Sequence, residues 1–321
     1  MESLIFPWQA SLWSHLESYL DQDRLPQAML LSGPRGTGKG QLARAFARTM
    51  LCETTTACGQ CSSCRLIAAG SHPDLIQITP DPGKPLTVDK IRGLIERLEL
   101  TPQYDHGRMV LIEAADRMNA AAANSFLKTL EEPAEETTIL LVGEMPGRLP
   151  ATILSRCQHL KLTVPSPVEA TTWLVSQGFE AGQAQVALAQ NGGAPLAARQ
   201  WLESEEPQRR QRFLATLEKL LDGRHDPVIL AARWHDEELT APLMWLQTLS
   251  CDLIRLAQGG GDRLLNPDCR PWLQSQACKL NLRSLHDLWQ RLLQVREGLH
   301  SQLNQALLLE SLFITIHRLR L

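Results

Sequence analysis

The sequence predicts an α/β domain built on a parallel sheet (residues 1–165), a small helical domain (166–206) and an all-helical C-terminal domain (207–321). Apolar strand-like runs alternate with helical patterns over the first half, which is typical of a doubly wound parallel sheet. A glycine-rich loop links the first of these runs to a helix. Pro165 and Pro167 then interrupt the alternation, and only helical patterns follow them.

Five runs of the first domain are predicted as strands, and two of them, 108–113 and 138–143, are apolar runs of the kind found in a sheet that is covered on both faces. The five runs are residues 27–32, 74–79, 108–113, 138–143 and 159–164. Residues 40–50 and 88–100 are predicted as helices. In the second of these helices, apolar side chains recur at helical spacing, from Val88 through Ile91 to Leu98.

The rest of the chain is predicted to be helical. Residues 168–203 form about three short helices, which are broken at Gly178, at Gly182 and at the turn 192–195. A glycine-rich stretch, residues 259–262, is predicted as a flexible loop between longer helices. These longer amphipathic helices cover residues 208–221, 239–258, 282–299 and 304–319.

The composition is globular and excludes several classes of protein. Hydrophobic residues make up 44% of the chain and charged residues 21%, with a net charge of −3, so the whole surface is not built to bind DNA. No apolar run approaches the about 18–20 residues of a membrane span. The first eight residues lack the basic segment and the long apolar run of a secretory signal. We therefore expect a cytoplasmic protein without a membrane partner.

A phosphate-binding loop is predicted at residues 33–40, which read Gly-Pro-Arg-Gly-Thr-Gly-Lys-Gly between a strand and a helix. Gly33, Gly36 and Gly38 would let backbone N–H groups face phosphate oxygens. Lys39 would reach the β- and γ-phosphates. An ordinary strand–turn–helix connection is the alternative.

Two groups needed for hydrolysis are missing around this loop. Gly40 stands where P-loop enzymes carry a Ser or Thr whose hydroxyl binds Mg²⁺. Glu113 and Ala114 stand where hydrolysing P-loop proteins of this type carry an Asp-Glu pair. Glu113 could still approach a metal ion, but Ala114 cannot polarise an attacking water. We expect little or no ATPase activity, and the motif leaves ATP binding open.

Four cysteines lie within thirteen residues, namely Cys52, Cys58, Cys61 and Cys64. Four thiolates in one short loop can close a tetrahedral site, and a site with no open position is structural. Zn²⁺ is the predicted ion, while an iron–sulfur cluster, two disulfides or free thiols are the alternatives. The other four cysteines are scattered, which favours a reducing compartment over a disulfide scaffold.

Together these motifs resemble the AAA+ subunits of the bacterial DNA polymerase III clamp loader. The similarity is dense over residues 20–165 and rests only on helical pattern and length beyond them. It is carried by residues 71–74 (Ser-His-Pro-Asp), 88–92 (Val-Asp-Lys-Ile-Arg), 123–133 (Ala-Asn-Ser-Phe-Leu-Lys-Thr-Leu-Glu-Glu-Pro) and 149–157 (Leu-Pro-Ala-Thr-Ile-Leu-Ser-Arg-Cys). The resemblance implies an AAA+ domain with a zinc insertion, a helical lid and a C-terminal collar.

Within that family, the hydrolysing gamma and tau subunits keep groups that this chain lacks at four places: Gly40, Ala114, Gly143-Glu144 and the turn 192–195. The chain therefore resembles the stator subunits, which are not catalytic alone but belong to the polymerase holoenzyme. The resemblance implies gamma/tau and delta subunits as partners, and it implies the sliding clamp and primer-template DNA through the complex.

The resemblance also gives Arg156 a role as an arginine finger that acts on the ATP of a neighbouring gamma/tau subunit. From the residues alone, Arg156 could equally cap its helix or pair with a carboxylate. Two other functions remain as alternatives. One is an autonomous AAA+ ATPase, which Gly40 and Ala114 count against, and the other is a zinc-dependent nucleic-acid-binding module.

Overall fold

A computed structural model describes residues 5–22, 24–234, 239–261, 264–298 and 304–319. The chain divides into two compact units, Met1–Glu169 and Ala170–Leu321. The division into three domains, with boundaries after residues 165 and 206, stays a prediction. None of the helices in the described ranges is long and apolar enough to cross a membrane.

The first unit contains a five-stranded parallel sheet whose strand order is β2-β3-β4-β1-β5. The predicted parallel α/β fold is confirmed, and each strand begins and ends within about three residues of its predicted range. The strands are β1 (Ala28–Ser32), β2 (Leu75–Ile78), β3 (Arg108–Ile112), β4 (Thr137–Gly143) and β5 (Gln158–Lys161).

Helices cover both faces of this sheet. They are α1 (Ala10–Asp21), α2 (Lys39–Met50), α3 (Ser62–Ala68), α4 (Val88–Leu98), α5 (Ala120–Glu131) and α6 (Ala151–Leu154). Alternate strand residues point to opposite faces. In β1, for example, Leu31 packs in the hydrophobic cluster of Phe46 from α2, whereas Leu30 packs in that of Phe126 from α5. In the central strands β1, β3 and β4 the apolar runs are therefore continuous because neither face meets water, whereas the edge strands β2 and β5 are partly exposed.

The strand order places β1 between β4 and β5, although neither of them follows it directly in the chain. The carboxyl ends of parallel strands at such a crossover are where α/β folds place their ligand sites. Ser32 at the end of β1 and Gly143 at the end of β4 are register partners, so the loops after β1, β3 and β4 meet at one edge.

The second unit is all-helical within the described residues, as predicted. One hydrophobic cluster holds α7 to α9, and a larger, separate cluster holds the helices from α10 onward. The helices are α7 (Pro167–Ser176), α8 (Ala181–Gln190), α9 (Pro195–Glu203), α10 (Glu206–Leu221), α11 (Pro227–Trp234), α12 (Thr240–Ala257), α13 (Arg270–Ala277), α14 (Leu282–Gly298) and α15 (Gln305–Arg318).

One predicted helix break is wrong. Gly182 lies inside α8, where a glycine costs only about 1 kcal/mol relative to alanine. The preceding break is at Gly178, whose φ of 94° ends α7. Asp262 and Leu299, which belong to a predicted loop and a predicted helix, lie outside the described residues.

Candidate functional site

The phosphate loop has the backbone that its glycines predict. Gly36 and Gly38 have φ of 79° and 85°, values that favour glycine. A Cβ at Gly38 would lie 2.6 Å from the side-chain nitrogen of Gln9. Gln9 and the indole of Trp8 donate hydrogen bonds to the carbonyl of Thr37, at 3.1 and 2.9 Å. The N-terminal segment therefore packs directly on the loop, a contact that the motif alone does not indicate.

Lys39 is the first residue of α2 and is buried, with 7% of its surface exposed. Its ammonium donates a hydrogen bond of 2.7 Å to the carbonyl of Pro34, within the same loop. Burial lowers the pKa of Lys39, while the carboxylates of Glu144 and Asp116 act in the opposite direction. The side chain predicted to reach the phosphates is thus folded back across the loop.

The place that would bind the metal ion of a P-loop site contains an ion pair. Arg44 lies one helical turn after Gly40 on α2, and its guanidinium pairs with the carboxylate of Glu113 at the end of β3. Two of its nitrogens, Nη1 and Nη2, would be 3.3 and 3.4 Å from a Cβ at Gly40. Glu113, expected to approach a metal ion, instead binds an arginine of its own chain.

Ala114 follows Glu113 with a φ of 51°, a left-handed conformation that non-glycine residues rarely adopt. Its methyl group offers no base for an attacking water. Asp116, in the turn after β3, reaches the end of β4. It accepts a hydrogen bond of 3.0 Å from the backbone N–H of Met145, and a Cβ at Gly143 would lie 3.1 Å from its other oxygen. Around the loop, the described residues therefore present no acid in the position of a catalytic glutamate.

The four predicted metal ligands converge. The sulfurs of Cys52, Cys58, Cys61 and Cys64 all lie within 4.8 Å of one another. Around one Zn²⁺ with Zn–S bonds of about 2.3 Å, tetrahedral geometry separates the sulfurs by roughly 3.8 Å. Cys52 and Cys61 are 3.9 Å apart, nearly twice the about 2.05 Å of a disulfide bond. The cluster fits a single ion at its centre.

Backbone N–H groups support the sulfurs of this cluster. Cys58, Cys61 and Cys64 donate to the sulfurs of Cys52, Cys58 and Cys61, at 3.4, 3.4 and 3.3 Å. Burial alone would raise the pKa of Cys52, but hydrogen bonds from the Thr54 hydroxyl and from backbone N–H groups outweigh it and lower the pKa to about 5. These donors stabilise negative charge on the Cys52 sulfur, the state in which cysteine binds metal ions, whereas burial raises the pKa of Cys64 to about 12.

Arg156 lies at the other end of the sheet. It follows α6 and comes two residues before β5, and it lines an open pocket with Gln27 and Ala28 at the start of β1. Because β1 and β5 are parallel, this is the amino edge of the sheet, whereas the phosphate loop is at the carboxyl edge. A five-residue strand such as β1 separates the two edges by roughly 13 Å.

In the free chain, both alternative contacts of Arg156 are present. Its Nη1 donates to the carbonyl of Thr152 in α6 at 2.9 Å, and its Nη2 pairs with the carboxylate of Glu131 at the end of α5. About a third of the Arg156 side chain and half of the Glu131 side chain remain exposed. The guanidinium is therefore oriented by its own chain but stays accessible.

The sequence did not reveal the roles of four residues at these sites: Trp8, Gln9 and Arg44 were not indicated, and Glu131 was expected to be only a solvated surface charge. Arg44 carried a signal, because it stands four residues after Gly40 and residues at that spacing share a helix face. Glu131 lies in the string that carried the family resemblance. Nothing in the pattern of residues 5–9 indicated a contact with a loop about 30 residues further along.

Comparison with known proteins covers both units. Two family models match, described as "DNA polymerase III, delta subunit" over residues 8–166 and "DNA polymerase III, delta subunit, C terminal" over residues 204–318. The DNA polymerase III subunit delta' of Pseudomonas aeruginosa is 33% identical over an alignment that covers 97% of this chain and 96% of that protein. The chain belongs to the delta' family of DNA polymerase III subunits.

Other relatives agree with this assignment. The delta' subunit of Escherichia coli is 31% identical and covers 97% of this chain and 95% of its own. The tau/gamma subunit of Haemophilus influenzae is 38% identical, but the match covers only 48% of this chain and 23% of that subunit. Of these relatives, the delta' subunits also match the chain beyond its α/β unit, and the predicted resemblance to the delta' class is confirmed at the level of the family.

Proposed function

We propose that the chain is the stator of a DNA polymerase III clamp loader and helps to load the sliding clamp onto primed DNA. Full-length similarity to delta' subunits supports this role. Its partners are gamma/tau and delta subunits, and it meets the clamp and primer-template DNA through the assembled complex. In this role the chain contributes one residue, Arg156, to ATP hydrolysis on a neighbouring gamma/tau subunit.

The single observation that carries the proposal is the separation of Arg156 from the chain's own phosphate loop. Arg156 lies at the amino edge of the sheet and the loop at the carboxyl edge, so Arg156 has no route to a nucleotide bound there. An accessible guanidinium at this edge can act only on a ligand held by another molecule. In the family resemblance that ligand is the ATP of the adjacent subunit.

A guanidinium in this position stabilises the charge that develops on the transferred γ-phosphoryl group, which is worth ~10³–10⁵ in rate where such fingers have been measured. The contact with Glu131 does not oppose this role. Both side chains are partly exposed, and an exposed ion pair contributes only about 0–1 kcal/mol. Exchanging Glu131 for a phosphate oxygen therefore costs little compared with the gain in the transition state.

For the cysteine cluster we propose a structural Zn²⁺ held by Cys52, Cys58, Cys61 and Cys64. Four ligands within 4.8 Å support one closed four-coordinate ion, whereas an iron–sulfur cluster with each cysteine on a different iron would spread the sulfurs further apart. With no open position, the ion would fix the loop between α2 and α3 and take no part in hydrolysis. Elemental analysis of the purified chain should find about one Zn²⁺ per chain, while iron with visible absorbance would contradict the assignment.

Reconstitution tests the main proposal. The purified chain is mixed with gamma/tau and delta, and DNA-stimulated ATPase activity is measured for the wild type, Arg156→Ala and Arg156→Lys. Arg156→Ala should still assemble but lose at least ~10-fold in turnover. Arg156→Lys should recover only part of it, because an ammonium lacks the planar fork of donors. Turnover equal to that of the wild type would make Arg156 a structural cap.

The alternative, an autonomous ATPase, is tested on the isolated chain. Without a hydroxyl at Gly40 or a base at Ala114, we expect ATP hydrolysis no faster than the uncatalysed background. A turnover near ~1 s⁻¹, in the lower range of ordinary enzymes, would contradict the stator role and support this alternative.

A further inference from the structure

The ion that accompanies ATP in P-loop proteins is Mg²⁺, and the residues of this chain do not fit it. The hydroxyl that would bind the ion is absent at Gly40. The acid at the end of β3, Glu113, is engaged by the guanidinium of Arg44. A fixed positive charge at this point also repels a divalent cation. The site therefore differs from an Mg²⁺ site in three ways: the hydroxyl ligand is missing, the supporting acid is paired, and the local charge is positive.

The Arg44 guanidinium lies at about the distance from Gly40 that the missing ion would have. A serine hydroxyl bound to Mg²⁺ at about 2.0–2.1 Å would put the serine Cβ roughly 3 Å from the metal. The Arg44 nitrogens Nη1 and Nη2 lie 3.3 and 3.4 Å from the point where a Cβ at Gly40 would be. Arg44 also contacts Glu113, which would support the ion from β3. One cation therefore bridges the same two elements that Mg²⁺ would bridge.

The rest of the loop is still built for phosphate oxygens. Gly36 and Gly38 keep left-handed backbones, and the first N–H groups of α2 have no partners within their own helix. Lys39 is a buried residue whose ammonium makes a single hydrogen bond among the described residues, to the carbonyl of Pro34, although it has three N–H donors.

Arg44 can serve a phosphate without leaving Glu113. A guanidinium carries five N–H donors, and the contact with Glu113 uses only part of them. With 43% of its side chain exposed, Arg44 is accessible to solvent. Arginine is also well suited to phosphate, because its planar fork matches two oxygens at once.

We propose that Arg44 replaces Mg²⁺ in this chain, so that the phosphate loop binds a nucleoside di- or triphosphate without a divalent cation. The ligand would be held by the loop backbone, Lys39 and Arg44. Since the metal position is taken by a side chain, such a nucleotide would be bound but not hydrolysed. This inference goes beyond the stator role and does not involve Arg156.

Calorimetric titration of the full chain with ADP tests the proposal, first in EDTA and then in excess Mg²⁺. The wild-type chain should bind ADP in EDTA, and Mg²⁺ should change the affinity by less than ~3-fold, since the metal-binding groups are absent. Arg44→Ala should weaken binding in EDTA at least ~10-fold, because it removes hydrogen bonds between charged groups. Arg48→Ala, which removes the same charge one turn further along α2, is the matched control and should bind like the wild type.

The double variant Gly40→Ser/Arg44→Ala returns the hydroxyl and empties the cation position. It should bind ADP weakly in EDTA and at least ~10-fold more tightly in Mg²⁺, with Glu113 again free to support an ion. Thermal melting of each variant verifies that it is folded. Three results would each overturn the proposal: no ADP binding by the wild type in either buffer, tightening of wild-type binding by Mg²⁺ of ~10-fold or more, or unchanged affinity in Arg44→Ala. None of these results bears on Arg156, so the stator role is tested separately.

Discussion

The cysteine cluster and the phosphate loop are both visible as motifs in the sequence, but their polar groups face different partners in the structure. In the cluster, four sulfurs converge on one point and receive N–H donors from their own backbone. In the loop, the charged groups bind partners in their own chain: Arg44 pairs with Glu113, and Lys39 donates to the backbone carbonyl of Pro34. The spacing of a motif therefore indicates which ligand types are present, whereas only the packing of the side chains shows whether an ion can bind there.

The largest expected effect concerns the cluster. Cys61→Ser removes one of four ligands, so bound Zn²⁺ should fall from about one per chain to almost none. The melting temperature should drop by roughly 5–10 °C, because each kcal/mol shifts a domain of this size by about 2–4 °C. Elemental analysis and thermal melting are the measurements.

Cys278→Ser is the matched control, since Cys278 is exposed and lies far from the cluster in the chain. It should keep its Zn²⁺ and its melting temperature. If both serine variants retain the same metal content, the four cysteines do not hold the ion. The cluster would then differ from the phosphate loop in no way that concerns metal binding.

A smaller effect is expected at the phosphate loop. Glu113→Gln removes the negative partner of Arg44, and the pair is partly exposed, so the free energy of unfolding should fall by about 0.5–1 kcal/mol. Urea denaturation measures this change. A loss of several kcal/mol would instead indicate a fully buried pair, and no loss would mean that Arg44 does not depend on Glu113.

The smallest effect is expected at Glu131, the partner of Arg156. Its side chain is about half exposed, so Glu131→Gln should change the free energy of unfolding by less than about 0.5 kcal/mol in the same assay. This variant tests whether the contact between Arg156 and Glu131 is weak, because an accessible arginine can change partners at low cost. A large destabilisation would show that Arg156 is fixed in its own chain and unable to reach another.

Much of the fold follows from the sequence for physical reasons. The central strands β1, β3 and β4 are recognisable because they are buried on both faces of a parallel sheet, which makes their apolar runs continuous. The cysteine ligands are recognisable because a closed site within one loop needs short spacing. The helix break predicted at Gly182 is wrong because a glycine inside a helix costs only about 1 kcal/mol, which packing easily offsets.

The occupied metal position could not be predicted in the same way. The contact between Arg44 and Glu113 joins residues 69 positions apart and exists only because α2 and β3 pack together. The same holds for Arg156 and Glu131, which are 25 positions apart. Local patterns predict ligand types and elements, but such pairs depend on the register of the whole sheet.

The proposed function requires that this chain acts on ATP through Arg156 and not through its own loop. The most direct measurement compares Arg156→Ala with Arg148→Ala, an exposed arginine eight residues earlier, in the same reconstituted loader. If Arg156 is an arginine finger, DNA-stimulated turnover falls at least ~10-fold for Arg156→Ala and stays near the wild-type value for Arg148→Ala. Equal turnover of the two variants in fully assembled complexes would contradict it.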